Sequence, residues 1–289
     1  MCYVLKVTRG GVKNPSILIF PLGHPVELVS ANRVVSEAAA SLWPLRSARF
    51  DVEPLRVAVE TRTTSHAPHP VTFAPHAAGF VVDAGPAALG EFVIASRSAT
   101  LSASPAALAP MLELLLLTAL DWTFFIGVHA ACVMRDGRSV LLLGDSHAGK
   151  STLAYACARA GWTFVSDNAL HWAAAPWDEL VSGSARLRLR DGARAMFSVA
   201  ENDVNPSQHG MLSATTAPSG PCVFLHRRPG PALCVPRSVQ DAMAYLAQYD
   251  TRPDRTYAED RYRELLRHGV HMLEYENAED AVRCLEMLL

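Results

Sequence analysis

The sequence predicts an α/β fold organised as two domains. Half of its 289 residues are hydrophobic and 19% are charged, which is typical of globular proteins. Short apolar runs typical of strands alternate with helical patterns along the chain. Residues 139–160 also combine an apolar strand, a loop containing two glycines and a helix in direct succession. We expect a smaller N-terminal α/β domain over residues 1–104 and a larger domain over residues 105–289.

The N-terminal domain is predicted to consist mainly of short strands. Proline, glycine and charged residues separate its apolar runs, as in strands joined by turns. The runs are residues 17–20, 26–29, 56–59, 80–82 and 92–95. One helix is expected over residues 32–42. The Pro-, His- and Thr-rich stretch 61–75 is expected to be a loop. Three histidines in and after it have no regular spacing, which favours a loop over a zinc site: His66, His69 and His76.

The longest apolar stretch, residues 111–133, is predicted to be part of a buried core rather than a membrane span. Three ionisable residues interrupt it, and they would cost several kcal/mol in lipid: Glu113, Asp121 and His129. Residues 106–120 have the pattern of a helix, whereas residues 127–134 have that of a strand. We therefore expect a buried helix that leads into a core strand.

The rest of the C-terminal domain is predicted to alternate strands and helices. The strands are expected at residues 139–143, 162–165 and 223–226, and the helices at 150–159, 240–249, 261–267 and 278–288. Asp136 and Gly137 mark a turn between the first two strands of this domain.

Charge and cysteine content restrict the partners and the compartment. The net charge of −2 gives no general support for a nucleic-acid partner. The six cysteines lack zinc-like spacing and are expected to be reduced thiols. The first ten residues do not have the apolar run of a secretory signal. We expect a cytoplasmic protein with neither a nucleic-acid nor a membrane partner.

Residues 144–151 match the pattern G-x-x-x-x-G-K-[ST] between an apolar strand and a helix, which predicts a phosphate-binding loop. The two glycines let successive backbone N–H groups face a phosphate. Lys150 is expected to reach the β- and γ-phosphates, and the hydroxyl of Ser151 is a ligand suited to Mg²⁺. The predicted site for ATP and Mg²⁺ comprises Gly144, Asp145, Ser146, His147, Ala148, Gly149, Lys150, Ser151 and Thr152. The alternative is a chance match in a glycine turn.

Two residues outside the loop are candidates for chemistry. Asp167 follows the predicted strand 162–165 and should emerge at the same sheet edge as Lys150. There a carboxylate is suited to binding the metal or to accepting a proton from an attacking hydroxyl. The alternative role for Asp167 is that of a helix cap or turn residue. A single histidine on an apolar strand, such as His129, is more typical of a core residue than of a catalyst.

An alternating sequence, ARLRLR, predicts a strand with a basic face. Its arginines are suited to binding a phosphate or an acidic peptide, and we expect them to contribute to an acceptor groove. They are Arg186, Arg188 and Arg190, with Arg194 following. A solvated edge strand explains the pattern equally well.

Residues 128–170 resemble the catalytic domain of the HPr kinase/phosphorylase superfamily. In that superfamily a histidine-containing strand leads through a hairpin into the loop GxSGxGKS, a helix and a strand that ends in two acidic residues. The resemblance implies a P-loop kinase domain of the HPr kinase/phosphoenolpyruvate carboxykinase type. It implies nucleotide and magnesium positions at Lys150, Ser151 and Thr152, a catalytic base at Asp167 that also binds the metal, and an active-site histidine at His129.

The sequence departs from that superfamily at two positions. Asn168 stands where the second acidic residue is expected. His147 stands where the superfamily's loop, GxSGxGKS, has its second glycine. His147 is either an exposed side chain or a pH-dependent contact to phosphate. No clear copy of the segment linked to the phosphorylase reaction is present, so the resemblance implies a kinase without phosphorylase activity.

The resemblance also implies a substrate class. Relatives of similar length with a different N-terminal part occur in peptide natural-product pathways and are similar to kinases that phosphorylate a serine of a ribosomally made precursor peptide. The expected partner is therefore a peptide or small protein that bears a serine. Related enzymes are often hexamers, which implies a homo-oligomer. Two alternatives stay open, a small-molecule kinase and a nucleotide-binding protein without transfer activity.

Overall fold

The computed structural model describes residues 15–44, 47–63, 69–252 and 256–289. The chain forms two compact units, of which the first ends at Phe124 and the second begins at Phe125. Thr251 and Arg252 also belong to the first unit. This boundary lies after residues 105–123 rather than before them, because the helix formed by those residues packs within the first unit.

The first unit is built on a seven-stranded sheet. Its strands are β1 (Ser16–Ile19), β2 (Val26–Val29), β3 (Leu55–Thr61), β4 (Thr72–His76), β5 (Gly79–Asp83), β6 (Ala88–Val93) and β7 (Ser98–Ala103), in the order β1-β2-β3-β7-β6-β5-β4. Helix α1 (Arg33–Leu42) packs on β1 and on helix α2 (Pro105–Thr123), which lies against β6 and β7. Residues of β3 are alternately buried and exposed, so one face of the sheet at this strand faces the core.

Most of the predicted elements of this unit are present. The helix over residues 32–42 is confirmed, and Asn32 caps it by accepting a hydrogen bond from the backbone N–H of Val34 at 3.0 Å. The prediction of a loop over residues 61–75 is wrong at its end, where β4 begins at Thr72. Pro75 is compatible with β4 because this strand lies at the sheet edge, where a missing N–H need not interrupt the ladder. Strand β7 was not predicted, since its residues are small and only weakly apolar.

The candidate zinc histidines do not form a metal cluster within the part of the chain that the structure describes, where no group of three or more potential ligands is found. His66 lies outside the described residues. The ring of His69 packs near Gly85 instead.

Helix α2 is long and apolar enough to cross a membrane by length and composition, and it is the one such helix among the described residues. Half of its most apolar window is buried inside the protein. Leu112, Leu115 and Leu116 are fully buried. The helix therefore packs as a core helix, as predicted for residues 106–120.

The second unit contains a six-stranded sheet, a four-stranded sheet and a two-stranded ribbon. The six-stranded sheet has the order β11 (Thr163–Ser166), β9 (Ala131–Arg135), β10 (Arg138–Leu143), β17 (Cys222–Arg227), β19 (Val270–Tyr275) and β18 (Leu233–Pro236). The four-stranded sheet has the order β16 (Thr216–Pro218), β13 (Glu179–Ser182), β12 (Leu170–Ala173) and β8 (Phe125–Val128). The ribbon pairs β14 (Leu187–Arg188) with β15 (Asp203–Val204).

The described helices of the second unit are α3 (Lys150–Arg159), α4 (Asp191–Phe197), α5 (Val239–Gln248), α6 (Thr256–Leu265) and α7 (Ala278–Glu286). One face of the six-stranded sheet packs on residues of α3 and α7. The other face packs on residues of α5, α6 and the four-stranded sheet. Strand β10 is thus covered on both sides, which explains why residues 140–143 are apolar without alternation. Short 3₁₀ helices occur in the described residues at Pro21–Gly23, Gly85–Ala87, Pro206–His209 and Leu266–His268.

The predicted single strand over residues 127–134 is wrong. The chain leaves the four-stranded sheet after Val128 and enters the six-stranded sheet at Ala131, so His129 lies between two strands. The apolar run continues through the break because both strands are buried, and no local pattern marks the change of sheet. The hairpin that follows is confirmed, with Asp136 and Gly137 both at positive φ, as a tight two-residue hairpin turn requires.

Candidate functional site

The loop of residues 144–151 joins β10 to α3 at one edge of the six-stranded sheet. Strand β11 runs parallel to β10, because each is antiparallel to the intervening β9. The carboxyl ends of β10 and β11 and the start of β9 therefore meet at this edge. The topology brings Lys150, Asp167 and His129 to the same end of the sheet.

Gly149 is required by the backbone at the start of α3. Its φ of +99° lies in the left-handed region, which residues with a side chain rarely adopt. A Cβ atom at this position would lie 2.5 Å from the hydroxyl oxygen of Tyr275. The second glycine of the predicted pattern therefore meets both a conformational and a steric requirement.

We expect Gly149→Ala to destabilise the second unit by about 2–4 kcal/mol, since the strained φ and the contact with Tyr275 add together. Gly161→Ala is the matched control, because Gly161 has a φ of +86° and no atom within 4 Å of its added Cβ. Urea unfolding of both variants measures the difference. If both variants lose the same free energy of unfolding, the added methyl group at position 149 does not destabilise the protein through its contact with Tyr275.

Lys150 is held inside the loop. Its Nζ donates hydrogen bonds to the backbone oxygens of Gly144 at 2.6 Å and Asp145 at 3.3 Å. The side chain is buried, and this burial lowers the pKa of the ammonium group, while the charges of Asp167 and Asp145 act in the opposite direction. The loop thus places a cation beside backbone N–H groups at a helix start, an arrangement suited to an anion.

Asp167 and Ser151 are in direct contact. The Ser151 hydroxyl donates to Oδ1 of Asp167 at 2.9 Å, and the backbone N–H of Arg188 donates to Oδ2 at 3.1 Å. Asp167 is 4% exposed, and burial raises the pKa of its carboxyl group against the effect of these donors and of Lys150. The hydroxyl and carboxylate oxygens are hard ligands that suit Mg²⁺, which usually takes one or two protein ligands together with water and phosphate. The residues present therefore fit this ion.

His129 lies at the same site without being on a strand. Its ring stacks on Tyr249, with the ring centroids 4.7 Å apart. The ring also forms a hydrogen bond with the backbone of Asn168. Burial, and then the charge of Lys150, lowers the pKa of His129, which favours the neutral imidazole at neutral pH. Asn168 has a φ of +70°, a conformation that asparagine adopts more readily than most residues.

Tyr245, on α5, is a site residue that the sequence did not reveal. Its hydroxyl accepts a hydrogen bond from the N–H of Gly144 at 3.2 Å and donates one to the oxygen of the same residue at 2.7 Å. The two residues are 101 positions apart, so no local motif connects them. Tyr245 fixes the first glycine of the loop.

The predicted basic strand is short, since only Leu187–Arg188 has strand pairing. Leu187 is buried whereas Arg186 and Arg188 are exposed, so the expected alternation is present over these residues. Arg186 forms an ion pair with Asp203 at 3.2 Å. Arg194, in α4, is paired with Asp191. Two of the four arginines line the cavity above Lys150: Arg188 and Arg190.

Arg190 contacts the loop directly. Its guanidinium donates to Nδ1 of His147 at 2.6 Å and to Oγ of Ser146 at 3.3 Å. His147 has a φ of +74°, the left-handed conformation that glycine would adopt without strain. The histidine that departs from the usual loop pattern is therefore a contact point for a cation rather than an isolated surface side chain.

A cavity of about 1080 Å³ lies above Lys150 in the second unit, and it is lined by Ser151 and Arg188, the two residues bonded to Asp167, rather than by Asp167 itself. Its lining combines the loop, the start of α3, His129, Asn168 and residues 188–193. Four of its residues have basic side chains, against two carboxylates: Lys150, Arg188, Arg190 and Arg227, with Asp145 and Asp191. The cavity thus has the charge expected for a polyanionic ligand.

No protein-family model matches the chain, and no curated protein matches it in sequence. Among solved structures it is similar to the Hpr(Ser) kinase/phosphatase from Coxiella burnetii, with 13% identity and a TM-score of 0.35. The similarity covers 56% of this chain and 87% of that one. A relationship at this level is distant, and the function of the site is therefore inferred from its own residues.

Proposed function

We propose that the chain is an ATP-dependent kinase that transfers the γ-phosphoryl group to a serine hydroxyl of a peptide or small protein. The observation that carries this proposal is the contact between Ser151 and Asp167 directly beside the loop that holds Lys150. A phosphate-binding loop alone accounts for nucleotide binding. A buried carboxylate in contact with it adds a group suited to phosphoryl transfer.

Residues 144–152 bind the triphosphate in this proposal. The backbone N–H groups of the loop and the start of α3 face the β-phosphate, and Lys150 neutralises charge on the β- and γ-phosphates. Lys150 would exchange its hydrogen bonds to the oxygens of Gly144 and Asp145 for bonds to the phosphates. Mg²⁺ held by Ser151 and Asp167 would supply further neutralisation of the phosphate charge.

Asp167 accepts the proton of the acceptor hydroxyl. The hydroxyl oxygen forms a bond to the γ-phosphorus as the bond from that phosphorus to the β–γ bridging oxygen breaks, and ADP leaves with the electron pair. The raised pKa of the buried Asp167 carboxyl makes it a stronger base than an exposed aspartate. Neutral His129 lies at the same edge and is suited to orient the acceptor or the γ-phosphate by a hydrogen bond.

The acceptor class rests on the resemblance of residues 128–170 to the HPr kinase/phosphorylase superfamily, whose relatives of similar length are similar to kinases that phosphorylate a serine of a ribosomally made precursor peptide. Arg188 and Arg190 at the cavity are suited to contacts with an acidic acceptor. Arg186 is the weaker candidate, because its guanidinium is engaged by Asp203. A cytoplasmic location, a homo-oligomeric state and the absence of nucleic-acid and membrane partners belong to the same proposal.

The test uses ATP labelled at the γ-phosphate together with serine-bearing candidate peptides. We expect label from γ-labelled ATP, but none from α-labelled ATP, to appear on the peptide and to disappear when its serine is replaced by alanine. Precursor peptides encoded beside the gene for this chain are the first candidates. Small-molecule alcohols in the same assay test the alternative of a small-molecule kinase.

A nucleotide-binding protein without transfer activity is the second candidate. Asn168 favours it, because a neutral amide stands where related kinases have a second acidic residue. Tight binding of ATP without transfer to any acceptor in the peptide panel, and with no gain on Asn168→Asp, would support this candidate over the kinase.

A further inference from the structure

A second cavity of about 680 Å³ lies on the other side of the loop of residues 144–151. Its walls are residues 144–148 of the loop, residues 224–227 at the end of β17, Met272 in β19, Arg237 and helix α5. It shares Asp145, Ser146, His147 and Arg227 with the cavity above Lys150. One extended ligand can therefore contact the loop from both cavities.

The wall of this second cavity carries a flat cationic surface. The guanidinium of Arg237 lies 4.1 Å from the centroid of the Phe224 ring. Asp241 holds Arg237 from the helix side, with Oδ2 3.6 Å from Nε. The Phe224 ring in turn packs edge-on against Tyr245, with centroids 5.1 Å apart. Guanidinium and aromatic planes of this kind are the surfaces on which nucleobases stack.

The remaining lining has the mixture that a nucleoside requires. Met272 and Ala244 supply apolar surface, whereas Gln248 supplies an amide with both a donor and an acceptor at the rim. The volume falls within the range of small-molecule sites, which are mostly apolar with a few polar groups that fix orientation. The cavity differs from the space above Lys150 in charge balance, because Arg227 and Arg237 are matched by Asp145 and Asp241, whereas basic side chains are in excess above Lys150.

We propose that this cavity binds the nucleoside part of the nucleotide, with the base stacked against Arg237. The proposal rests on the proposed function, since it assumes that the triphosphate lies at Lys150. Arg227, which lines both cavities, spans the ribose and the phosphates. The acceptor occupies the opposite side, because Ser151 and Arg188, the two residues bonded to Asp167, line only the cavity above Lys150.

Tyr245 connects the wall of the nucleoside cavity to the start of the loop. The same side chain packs against Phe224 in the cavity wall and holds Gly144 through its hydroxyl. A base stacked in this cavity therefore stabilises the packing of Tyr245, which holds Gly144 at the start of the loop.

The experiment compares ATP with inorganic tripolyphosphate, which has the phosphates and no nucleoside. Ala244→Trp fills the cavity from an exposed position of α5, and titration calorimetry in Mg²⁺ measures both affinities. We expect the affinity for ATP to fall by about tenfold or more, as the loss of one stacking contact predicts, with the affinity for tripolyphosphate changed less than about twofold. Val239→Trp is the control, because Val239 is exposed on α5 and lines neither cavity.

Arg237→Ala is the second variant, which removes the stacking surface without adding volume. The same selective loss for ATP is expected. Equal effects on both ligands, or no effect on ATP, would overturn the nucleoside site. A wild-type protein that binds neither ligand would instead overturn the proposed function. Binding of tripolyphosphate that disappears in Lys150→Met, together with unchanged ATP binding in both cavity variants, would leave the kinase proposal standing and reject this inference alone.

Discussion

Lys150→Met is expected to weaken the binding of ATP by about 10- to 100-fold, which corresponds to the loss of one charge-assisted contact of about 1.5–3 kcal/mol. The physical reason is the burial of this ammonium inside the loop, where solvent screens it poorly. Transfer to any acceptor should fall further, by about 100-fold or more, because the same charge stabilises the phosphoryl group in the transition state. Titration calorimetry and the γ-label assay measure the two effects.

Arg138→Met is the matched control for this charge change. Arg138 is exposed at the start of β10, at the end of the strand away from the loop, and it lines neither cavity. We expect its variant to bind ATP as the unmodified protein does. Unchanged ATP affinity in Lys150→Met would reject the loop as the triphosphate site, whereas a parallel loss in both variants would indicate a general charge effect.

Asp167→Asn is expected to lower transfer by about 100- to 10,000-fold, as the loss of a general base does, while ATP binding changes by less than about tenfold. The asparagine retains an oxygen to accept one of the two hydrogen bonds, from the Ser151 hydroxyl or from the N–H of Arg188. Burial raises the pKa of the Asp167 carboxyl, so the ionised form is disfavoured at this site and the neutral amide avoids that cost. We therefore expect thermal stability to be retained or slightly increased.

The separation of activity from stability is what distinguishes a catalytic role of Asp167 from a structural one. Asp203→Asn is the control, because Asp203 is exposed, pairs with Arg186 and lies outside both cavities. Recovery of transfer in Asp167→Asn at high Mg²⁺ concentration would assign Asp167 to metal binding alone. Retained transfer at ordinary Mg²⁺ concentration would remove Asp167 from the mechanism.

The elements around the loop were predictable because they are encoded locally. An apolar strand, two glycines and a helix in succession leave few other conformations, and helix α3 spans residues 150–159 as predicted. Asp167 was placed at the same sheet edge because strands that flank such a loop run in the same direction. The structure adds that β9 lies between β10 and β11, so the two strands are parallel without being neighbours.

The predicted strand over residues 127–134 and the predicted domain boundary were wrong because an apolar segment can pack in either of two sheets or in either of two units. The run around His129 is continuously apolar, and only the pairing of β8 with β12 and of β9 with β10 shows that the chain changes sheets there. Likewise, the boundary between the units follows α2 because this helix buries its apolar face on β6 and β7. A residue is buried by whichever element packs on it, and the local apolar pattern does not indicate which element that is.

The sequence by itself predicted the loop, the helix that begins at Lys150, and the candidate cation and carboxylate, Lys150 and Asp167. All of these depend on residues close together in the chain. Only the tertiary structure decided that Ser151 touches Asp167, that Arg190 reaches His147, and that Tyr245 holds Gly144. These contacts join residues 16, 43 and 101 positions apart. Their geometry is set by how strands and helices pack, because no local pattern of residues specifies which distant side chain will meet the loop.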